Sequence, residues 1–380
     1  MKIDANSVTF EPQDMAFVKK FGILEATEMA LDYHAEHPNL PFLYDAEQLA
    51  GFLGISRGEL NDIVNHIQKE YKEAHLPKKD GTYRSLCVPS IRLRFCQDPI
   101  KEKILPQLPV SKFATAYQKG STTRGNAEPH IGKKFLLKLD ITDFFGSITF
   151  EQVQRTAFNT RYVSRQVGYL LTSLCCKDDS LPQGAATSPA LSNIVMYRFD
   201  DYIGRWCSQR QIAYTRYCDD MTFSANRPLY GVYQKVKTML REMGFELNES
   251  KTHFIGNDNR QSVTGLVVNE KLSIPSGYKR DLRQEVYYAL KFGVEDSVLH
   301  GHRSDFVEDG RPICCPTYML HLMGKVQYVL QIEPENLWFK DAQKKLLAYI
   351  YEHYSESLSY YLHFNKNGKG KGMYEQSNPV

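Results

Sequence analysis

The sequence lacks several features that would assign it to a familiar class at once. No run of about 18 apolar residues is present, which argues against a membrane-spanning helix. Met1–Phe10 has no basic segment leading into an apolar one, so no secretory signal is expected. None of the eight cysteines lies in a CxxC pair, which argues against a zinc ribbon. Scattered cysteines favour free thiols in a reducing cytoplasm.

A zinc cluster near the C-terminal end stays open as an alternative, although two adjacent cysteines rarely fit one tetrahedral site. Its candidate ligands are His300, His302, Cys314, Cys315 and His321.

Acidic and basic residues are unevenly distributed, although the formal net charge is only +3. Residues 1–76 carry 6 Lys or Arg and 13 Asp or Glu, whereas the other residues carry 41 and 31. A basic body of this kind favours a polyanionic partner such as nucleic acid. At 380 residues the chain exceeds the usual size of one compact core, so two or three subdomains are expected.

Hydrophobic periodicity predicts an α+β fold class. Helices are predicted over residues 14–38, in two pieces within 45–75, and over 92–105, 150–174, 189–208, 228–243 and most of 280–362. Strands are predicted over 134–140, 212–217 and 221–225 and near 252–256 and 263–268. Asp80-Gly81 is typical of a hairpin turn. Residues 46–60 resemble a helix–turn–helix, but their acidic balance favours a packing role over DNA binding.

Asp140 ends the predicted strand that begins at Lys134. Phe135, Leu137 and Leu139 alternate with the residues between them, which is the period of a strand. A carboxylate at a strand end is a candidate catalytic group, and the alternative is a helix cap.

Cys218-Asp219-Asp220 lies between two strand-forming runs and predicts a tight hairpin with adjacent acids at its tip. Like charges this close raise one another's pKa, and a bound cation relieves the repulsion. Carboxylates without thiolate or imidazole partners favour Mg²⁺. Two Mg²⁺ ions about 3.5–4 Å apart would activate a hydroxyl and stabilise a leaving pyrophosphate. The alternative is a solvated acidic turn.

Leu181–Pro189, with the sequence LPQGAATSP, leads into an apolar segment. Ser188 and Pro189 predict an N-cap and an N1 proline. The small residues before them allow the backbone to approach a ligand closely. The alternative is an ordinary junction between a loop and a helix.

These three motifs, in this order, resemble the palm of reverse transcriptases, and the resemblance extends from about Leu76 to Asn269. It implies a right-hand polymerase with fingers, an antiparallel palm sheet and a helical thumb, adding dNTPs to a DNA strand. Asp140 and Asp219 resemble the metal-bridging aspartates, with Asp220 as their supporting partner and two Mg²⁺ ions as cofactors. Cys218 stands where the family often has Ala or Met.

The resemblance also implies a nucleotide-binding set. Phe145 occupies the position of the ring that disfavours a ribose 2′-OH, and Gln183 resembles the glutamine beside the incoming nucleotide. The remaining candidates are cations that would contact the triphosphate or pyrophosphate: Lys78, Lys79, Arg84 and Lys251. For Lys79 and Lys251, an ordinary surface lysine is the alternative.

Gly125–His130 contains NAxxH and Val263–Gly265 reads VTG, and in these positions both resemble retron reverse transcriptases of bacteria. That resemblance implies a cognate structured non-coding RNA as template and primer, branched msDNA as product, and anti-phage defence with an effector (toxin) protein. The candidate RNA-binding residues are Asn126, His130, Val263, Thr264 and Gly265. Asn126 capping a turn is the alternative.

The predicted layout is an N-terminal helical extension over 1–45, fingers over 46–133, palm over 134–270, thumb with RNA recognition over 271–362, and a flexible basic tail over 363–380. Residues 1–45 either contact a protein partner or cover the fingers. A group II intron or diversity-generating reverse transcriptase is the rival enzyme, and a catalytically decayed RNA-binding scaffold is the rival from another class. No RNase H carboxylate set or HNH motif is recognisable.

Overall fold

A computed structural model describes residues 2–4, 7–77, 81–159, 163–301, 306–308, 311–312 and 315–366. These described residues fall into two compact units, one within 2–122 and 135–254 and the other within 123–134 and 255–366. The second unit therefore includes residues 123–134, which the sequence analysis assigned to the fingers. The described part of the proposed basic tail is the helical segment 363–366, and the rest lies outside the described residues.

The N-terminal region contains an antiparallel pair, β1 (Lys2–Asp4) and β2 (Ser7–Thr9), and two helices, α1 (Met15–Phe21) and α2 (Ile23–Glu36). The single helix predicted over 14–38 is wrong, because Gly22 at φ +79° interrupts it. Gln48 donates a buried 2.8 Å hydrogen bond to Asp14, which attaches this region to the next helix. Whether residues 1–45 cover the fingers or contact a protein partner stays a prediction.

The next segment contains two helices, α3 (Ala46–Leu53) and α4 (Arg57–Asn65), and a hairpin of β3 (Tyr71–Pro77) and β4 (Tyr83–Pro89). Asp45 and Ser56 cap the two helices, which confirms the break predicted between them. The prediction of helix as far as residue 75 is wrong, because Tyr71–Pro77 is a strand. Helix α5 (Ile91–Pro99) continues as one π-helical turn, Ile100–Ile104.

A four-stranded sheet carries the candidate site, with strand order β6-β7-β5-β8. After the short helix α6 (Thr123–Ala127), the elements are β5 (Phe135–Asp140), α7 (Phe150–Ala157), α8 (Arg165–Cys175), α9 (Ser188–Ser208), β6 (Ala213–Tyr217), β7 (Asp220–Ala225), α10 (Tyr230–Glu242) and β8 (His253–Gly256). The single helix predicted over 150–174 is wrong, since Ser164 caps a separate helix by accepting from the Val167 amide.

The core of the first unit lies against this sheet. Leu136, Leu137 and Leu139 of β5 are all buried, so both faces of the strand are covered. The strand pairs antiparallel with β7, with Phe135 opposite Ala225 and Asp140 opposite Asp220.

The second unit contains two short antiparallel strand pairs and a set of helices. The strands are β9 (Ser262–Val263), β10 (Leu266–Val267), β11 (Val307–Glu308) and β12 (Arg311–Pro312), and the helices are α11 (Ser276–Phe292), α12 (Val294–His300), α13 (Cys315–Ile332) and α14 (Leu337–Lys366). The mainly helical prediction for 280–362 and the α+β class are confirmed. Across the described residues, no helix combines the length and apolar character needed to cross a membrane.

Candidate active site

Three aspartates gather where β5 meets the β6–β7 hairpin. Asp140 ends β5 and pairs across the ladder with Asp220, which begins β7. Cys218 and Asp219 form the two-residue turn, with Cys218 at φ +60°. The Ile141 amide donates to the Asp219 main-chain oxygen at 3.3 Å, which joins the turn to the end of β5. The predicted hairpin with acids at its tip is therefore confirmed.

These carboxylates lie in a partly dehydrated and electronegative environment. Asp140 is 7% exposed, and Asp219 and Asp220 are half-buried. Burial and the adjacent charge of Asp219 raise the pKa of Asp220 to about 6. Burial also raises the pKa of Asp140, and the hydrogen bond from Lys251 opposes that rise. A group of acids with raised pKa values is stabilised by a nearby cation.

Lys251 supplies such a cation in this structure. Its Nζ lies 3.0 and 3.2 Å from the two carboxylate oxygens of Asp140. The Asn248 amide donates to the Asp140 carbonyl at 2.8 Å, so the segment bearing Lys251 is held along the end of β5. The lysine therefore contacts the carboxylate cluster, which favours its predicted place in the site over that of an ordinary surface lysine.

The donor set fits divalent cations, since it consists of hard carboxylate oxygens that already attract an ammonium group. As the side chains stand, no group of three or more His, Cys, Asp or Glu within the described part of the chain is disposed to hold an ion, and Asp140 is paired with Lys251. The alternative zinc cluster is likewise not formed by its described members, and His302 and Cys314 lie outside the described residues.

A buried ion pair supports the turn from behind, and the sequence analysis missed it. Arg216 and Asp200 are both 0% exposed, and the guanidinium contacts the carboxylate at 2.6, 2.9 and 3.1 Å. Arg216 also donates to the Cys218 carbonyl at 2.7 Å and to the Asn193 side chain at 3.1 Å. Tyr214 donates to Asp200 at 2.7 Å. A buried charged network this well satisfied fixes its parts in one geometry.

The segment Phe113–Tyr117 covers the free edge of β6. The Arg216 amide donates to the Phe113 carbonyl at 2.8 Å, and the Thr115 amide donates to the Arg216 carbonyl at 2.7 Å. At its end, the Tyr117 hydroxyl donates to Cys218 Sγ at 3.1 Å. The turn is therefore held by α9 through Arg216 and by this segment through Tyr117.

The LPQG loop contacts the β3–β4 hairpin. The Cys87 amide donates to the Gln183 carbonyl at 2.7 Å, and Gly184 lies so close that a Cβ there would stand 2.9 Å from the Cys87 oxygen. The backbone at Gly184 therefore lies close to strand backbone, and a close approach to a ligand stays a prediction. The prediction of Ser188 as N-cap is wrong: Thr187 is the N-cap, and Ser188 donates from within the first turn to the Pro182 carbonyl at 2.7 Å.

The other nucleotide-binding candidates lie on several elements. Phe145 is half-buried in the loop after β5, with its ring centroid 5.5 Å from that of Phe144. Arg84 is exposed on β4, and Lys78 and Lys79 lie outside the described residues. The roles of all four toward a nucleotide stay predictions.

The retron motifs meet inside the second unit. Asn126 donates to the Thr264 hydroxyl at 3.4 Å, and Thr264 donates to the Thr123 carbonyl at 3.2 Å. Thr264 and Gly265, at φ +44° and +80°, form the turn between β9 and β10. Asn126, His130 and Val263 are buried, so their side chains suit an indirect role in shaping this turn, whereas Thr264 and Gly265 are more accessible. Burial lowers the pKa of His130 to about 3.

The sequence is similar to known proteins across most of its length. The family described as "Reverse transcriptase (RNA-dependent DNA polymerase)" matches residues 76–268. The Retron Ec86 reverse transcriptase of Escherichia coli is 28% identical over 70% of this chain and 84% of its own length. The Retron Mx65 reverse transcriptase of Myxococcus xanthus is 31% identical over 78% of this chain and 70% of its own. The Retron Ec83 reverse transcriptase of Escherichia coli is 34% identical over 57% of this chain and 75% of its own length.

Solved structures offer a more distant likeness. Telomerase from Candida albicans is 13% identical with a TM-score of 0.41, covering 78% of this chain and 66% of that one, which is too remote to inform the site. The family match and the retron relatives agree with the right-hand polymerase fold expected from the sequence. This chain belongs to the reverse transcriptase family and is an RNA-directed DNA polymerase of the retron type.

Proposed function

We propose that the chain copies a cognate structured non-coding RNA into DNA by two-metal nucleotidyl transfer, with Asp140, Asp219 and Asp220 as the metal-binding carboxylates. The observation that carries this proposal is the convergence of the three acids at the end of β5 and the hairpin turn, where an ammonium group already lies against Asp140. Fingers over 46–133, palm over 134–270 and thumb over 271–362 remain the subdomains that we assign.

In each elongation step, the 3′ hydroxyl of the primer would give its proton to water, and its oxygen would form a bond to the α-phosphorus of a dNTP while the bond to pyrophosphate breaks. Two Mg²⁺ ions would supply the lowered hydroxyl pKa and the neutralisation of the leaving group. Asp140 and Asp219 would hold both ions, and Asp220 would support them. Lys251, released from Asp140, would donate to the pyrophosphate.

The other side chains would select and orient the nucleotide. The Phe145 ring would exclude a ribose 2′-OH, and Gln183 would lie beside the base. Lys78 or Lys79, with Arg84, would hold the triphosphate, because an ammonium and a guanidinium both bind phosphate oxygens strongly.

The retron relatives and the joined NAxxH and VTG motifs support a narrower proposal. The chain would recognise its RNA partly through the Thr264-Gly265 turn, prime from a guanosine 2′-OH and produce branched msDNA. It would act in the bacterial cytoplasm in anti-phage defence, together with an effector (toxin) protein. A branched RNA–DNA species co-purifying with the chain would support this reading, and purely linear nucleic acid would favour the group II-like alternative.

Primer extension on an RNA template tests the polymerase site. Asp219→Asn removes one metal-bridging charge and should abolish synthesis. Asp178→Asn is the matched control, since it makes the same chemical change at an exposed acid that pairs with Lys177 at 3.4 Å. Near-normal extension by the Asp219 variant would remove that residue from the mechanism, whereas an inactive but folded wild-type chain would favour the decayed scaffold.

A further inference from the structure

A cluster of cations and aromatic rings lies on α9 and α10, away from the residues assigned above. The guanidinium of Arg210 lies 4.5 Å from the centroid of the Trp206 ring. Lys235 Nζ lies between two rings, 5.0 Å from the centroid of Tyr202 and 5.4 Å from that of Trp206. Arg227 lies beside them, since it donates to the Arg210 carbonyl. We call Tyr202, Trp206, Arg210, Arg227 and Lys235 the Trp206 surface.

This surface is strongly basic. Residues 197–212 and 226–235 contain five basic residues, Arg198, Arg205, Arg210, Arg227 and Lys235. The same segments contain two acids, of which Asp200 is buried against Arg216 and Asp201 pairs with Arg205 at 2.8 Å. The excess positive charge therefore faces solvent.

The main chain holds these cations in place. Arg210 donates to the Trp206 carbonyl at 3.2 Å, and Arg227 donates to the Arg210 carbonyl at 3.3 Å. The second contact joins the loop after β7 to the loop between α9 and β6. The Trp206 surface is thus supported by the two loops that flank the hairpin bearing the catalytic turn.

The Trp206 surface lies toward the end of the β6–β7 hairpin that is opposite the catalytic turn. Strand β6 begins at Ala213, just after Arg210, and reaches the turn after Tyr217. Five residues of strand span roughly 17 Å at about 3.3 Å per residue. A ligand on the Trp206 surface would therefore contact a part of the nucleic acid other than the reacting primer end.

We propose that the Trp206 surface is a second RNA-binding site, which holds a segment of the RNA outside the copied region. The proposal rests on the proposed function, because that function supplies the RNA. The RNA phosphates would contact Arg210, Arg227 and Lys235, and the counterions condensed on those phosphates would be released on binding. Tyr202 is 49% exposed and offers a ring against which a base can stack.

A fluorescence titration tests direct contact. The chain has two tryptophans, so Trp338→Phe leaves Trp206 as the single reporter. A stem-loop RNA with an oligouridine flank should change the Trp206 emission with the same midpoint as filter binding. The reciprocal Trp206→Phe chain reports from Trp338. RNA binding with no change in Trp206 emission would overturn the proposal.

A charge series tests the energetic contribution. Arg210→Gln, Arg227→Gln and Lys235→Gln together should lower the slope of log affinity against log salt by about 2, at about 0.7 to 0.9 per phosphate contact. The matched control removes the same charge elsewhere in the unit, with Lys101→Gln, Lys103→Gln and Lys112→Gln. An equal fall in both triple variants would show that only net charge matters, and the proposal would fail.

A stacking variant separates ring contact from charge. Tyr202→Ala should weaken RNA binding by about tenfold. Tyr169→Ala is its control, since Tyr169 is 52% exposed on α8. Extension of a short primer on oligoadenylate should be unchanged in all variants of the Trp206 surface. The same assay tests the proposed function separately, because a wild-type chain that cannot extend this primer would contradict that function. If the variants of the Trp206 surface no longer bound a co-purifying acidic protein but kept the RNA affinity of the wild-type chain, the assignment of this surface to RNA would be overturned.

Discussion

Arg216→Lys tests whether the buried Arg216 side chain holds the catalytic turn in position, in addition to stabilising the fold. The guanidinium makes three contacts with Asp200 and one each with the Cys218 carbonyl and the Asn193 side chain. A lysine keeps the buried charge but has only three donors on one atom. We therefore expect the acceptors on Cys218 and Asn193 to lose their partner.

The expected magnitude follows from these two lost contacts. A buried acceptor left without its hydrogen bond costs about 1–3 kcal/mol, so the loss of two should lower the free energy of unfolding by about 2–6 kcal/mol. The turn bearing Asp219 would also lose its fixed position. A displacement of about 1 Å at a reacting centre lowers the rate about 10²-fold, and we expect a fall of that order in kcat for primer extension.

Tyr214→Phe is the matched control, because it removes one hydrogen bond to the same Asp200 and leaves the turn contact intact. It should lower the unfolding free energy by about 1 kcal/mol with little change in kcat. Urea unfolding and single-nucleotide extension at saturating dNTP provide the two measurements. If Arg216→Lys loses stability but retains kcat within twofold, the turn is held by other contacts and the positioning argument is refuted. An equal loss of kcat in Tyr214→Phe would refute it too.

Three further predictions concern other parts of the chain. Phe145→Ala should lower the ratio of kcat/KM for dNTP over rNTP, and an unchanged ratio would assign sugar selection to another residue. Burial lowers the pKa of His130 to about 3, so only the unfolded chain takes up a proton at this residue between about pH 6.5 and 3. The free energy of unfolding should therefore decrease by about 1.4 kcal/mol for each unit by which the pH is lowered in this range. Urea unfolding of His130→Gln should lack that part of the pH dependence. Deleting residues 1–12 should leave the salt dependence of RNA filter binding unchanged, because this region is acidic, and a shallower slope would show that it touches phosphate.

The carboxylates of the site were predictable because their signals are local. A strand ending in Asp140 and a hairpin with Cys218-Asp219 at its turn are both visible as short patterns of residue types. Their meeting follows from antiparallel pairing of β5 with β7, which places Asp140 opposite Asp220.

The errors occurred where tertiary contacts override local preference. Tyr71–Pro77 contains Lys, Glu and Ala, which favour helix, but its pairing with Tyr83–Pro89 makes it a strand. Asp200 and Arg216 are 16 residues apart and look in the sequence like surface charges. Nothing in a single sequence distinguishes a buried ion pair of this kind from two solvated residues.

Two cations near the carboxylates differ in a way that suits a metal-dependent site. Arg216 is 0% exposed and its donors are used by Asp200, Asn193 and the turn carbonyl, so its charge is paired with Asp200 and its side chain stays in place. The side chain of Lys251 is 60% exposed and contacts Asp140 directly, on the side that solvent reaches. An exposed ammonium is easily displaced because its ion pair contributes little. The turn that bears Asp219 is thus fixed from behind by a buried ion pair. Asp140 is balanced in front by an ammonium group that can give way to metal ions and nucleotide.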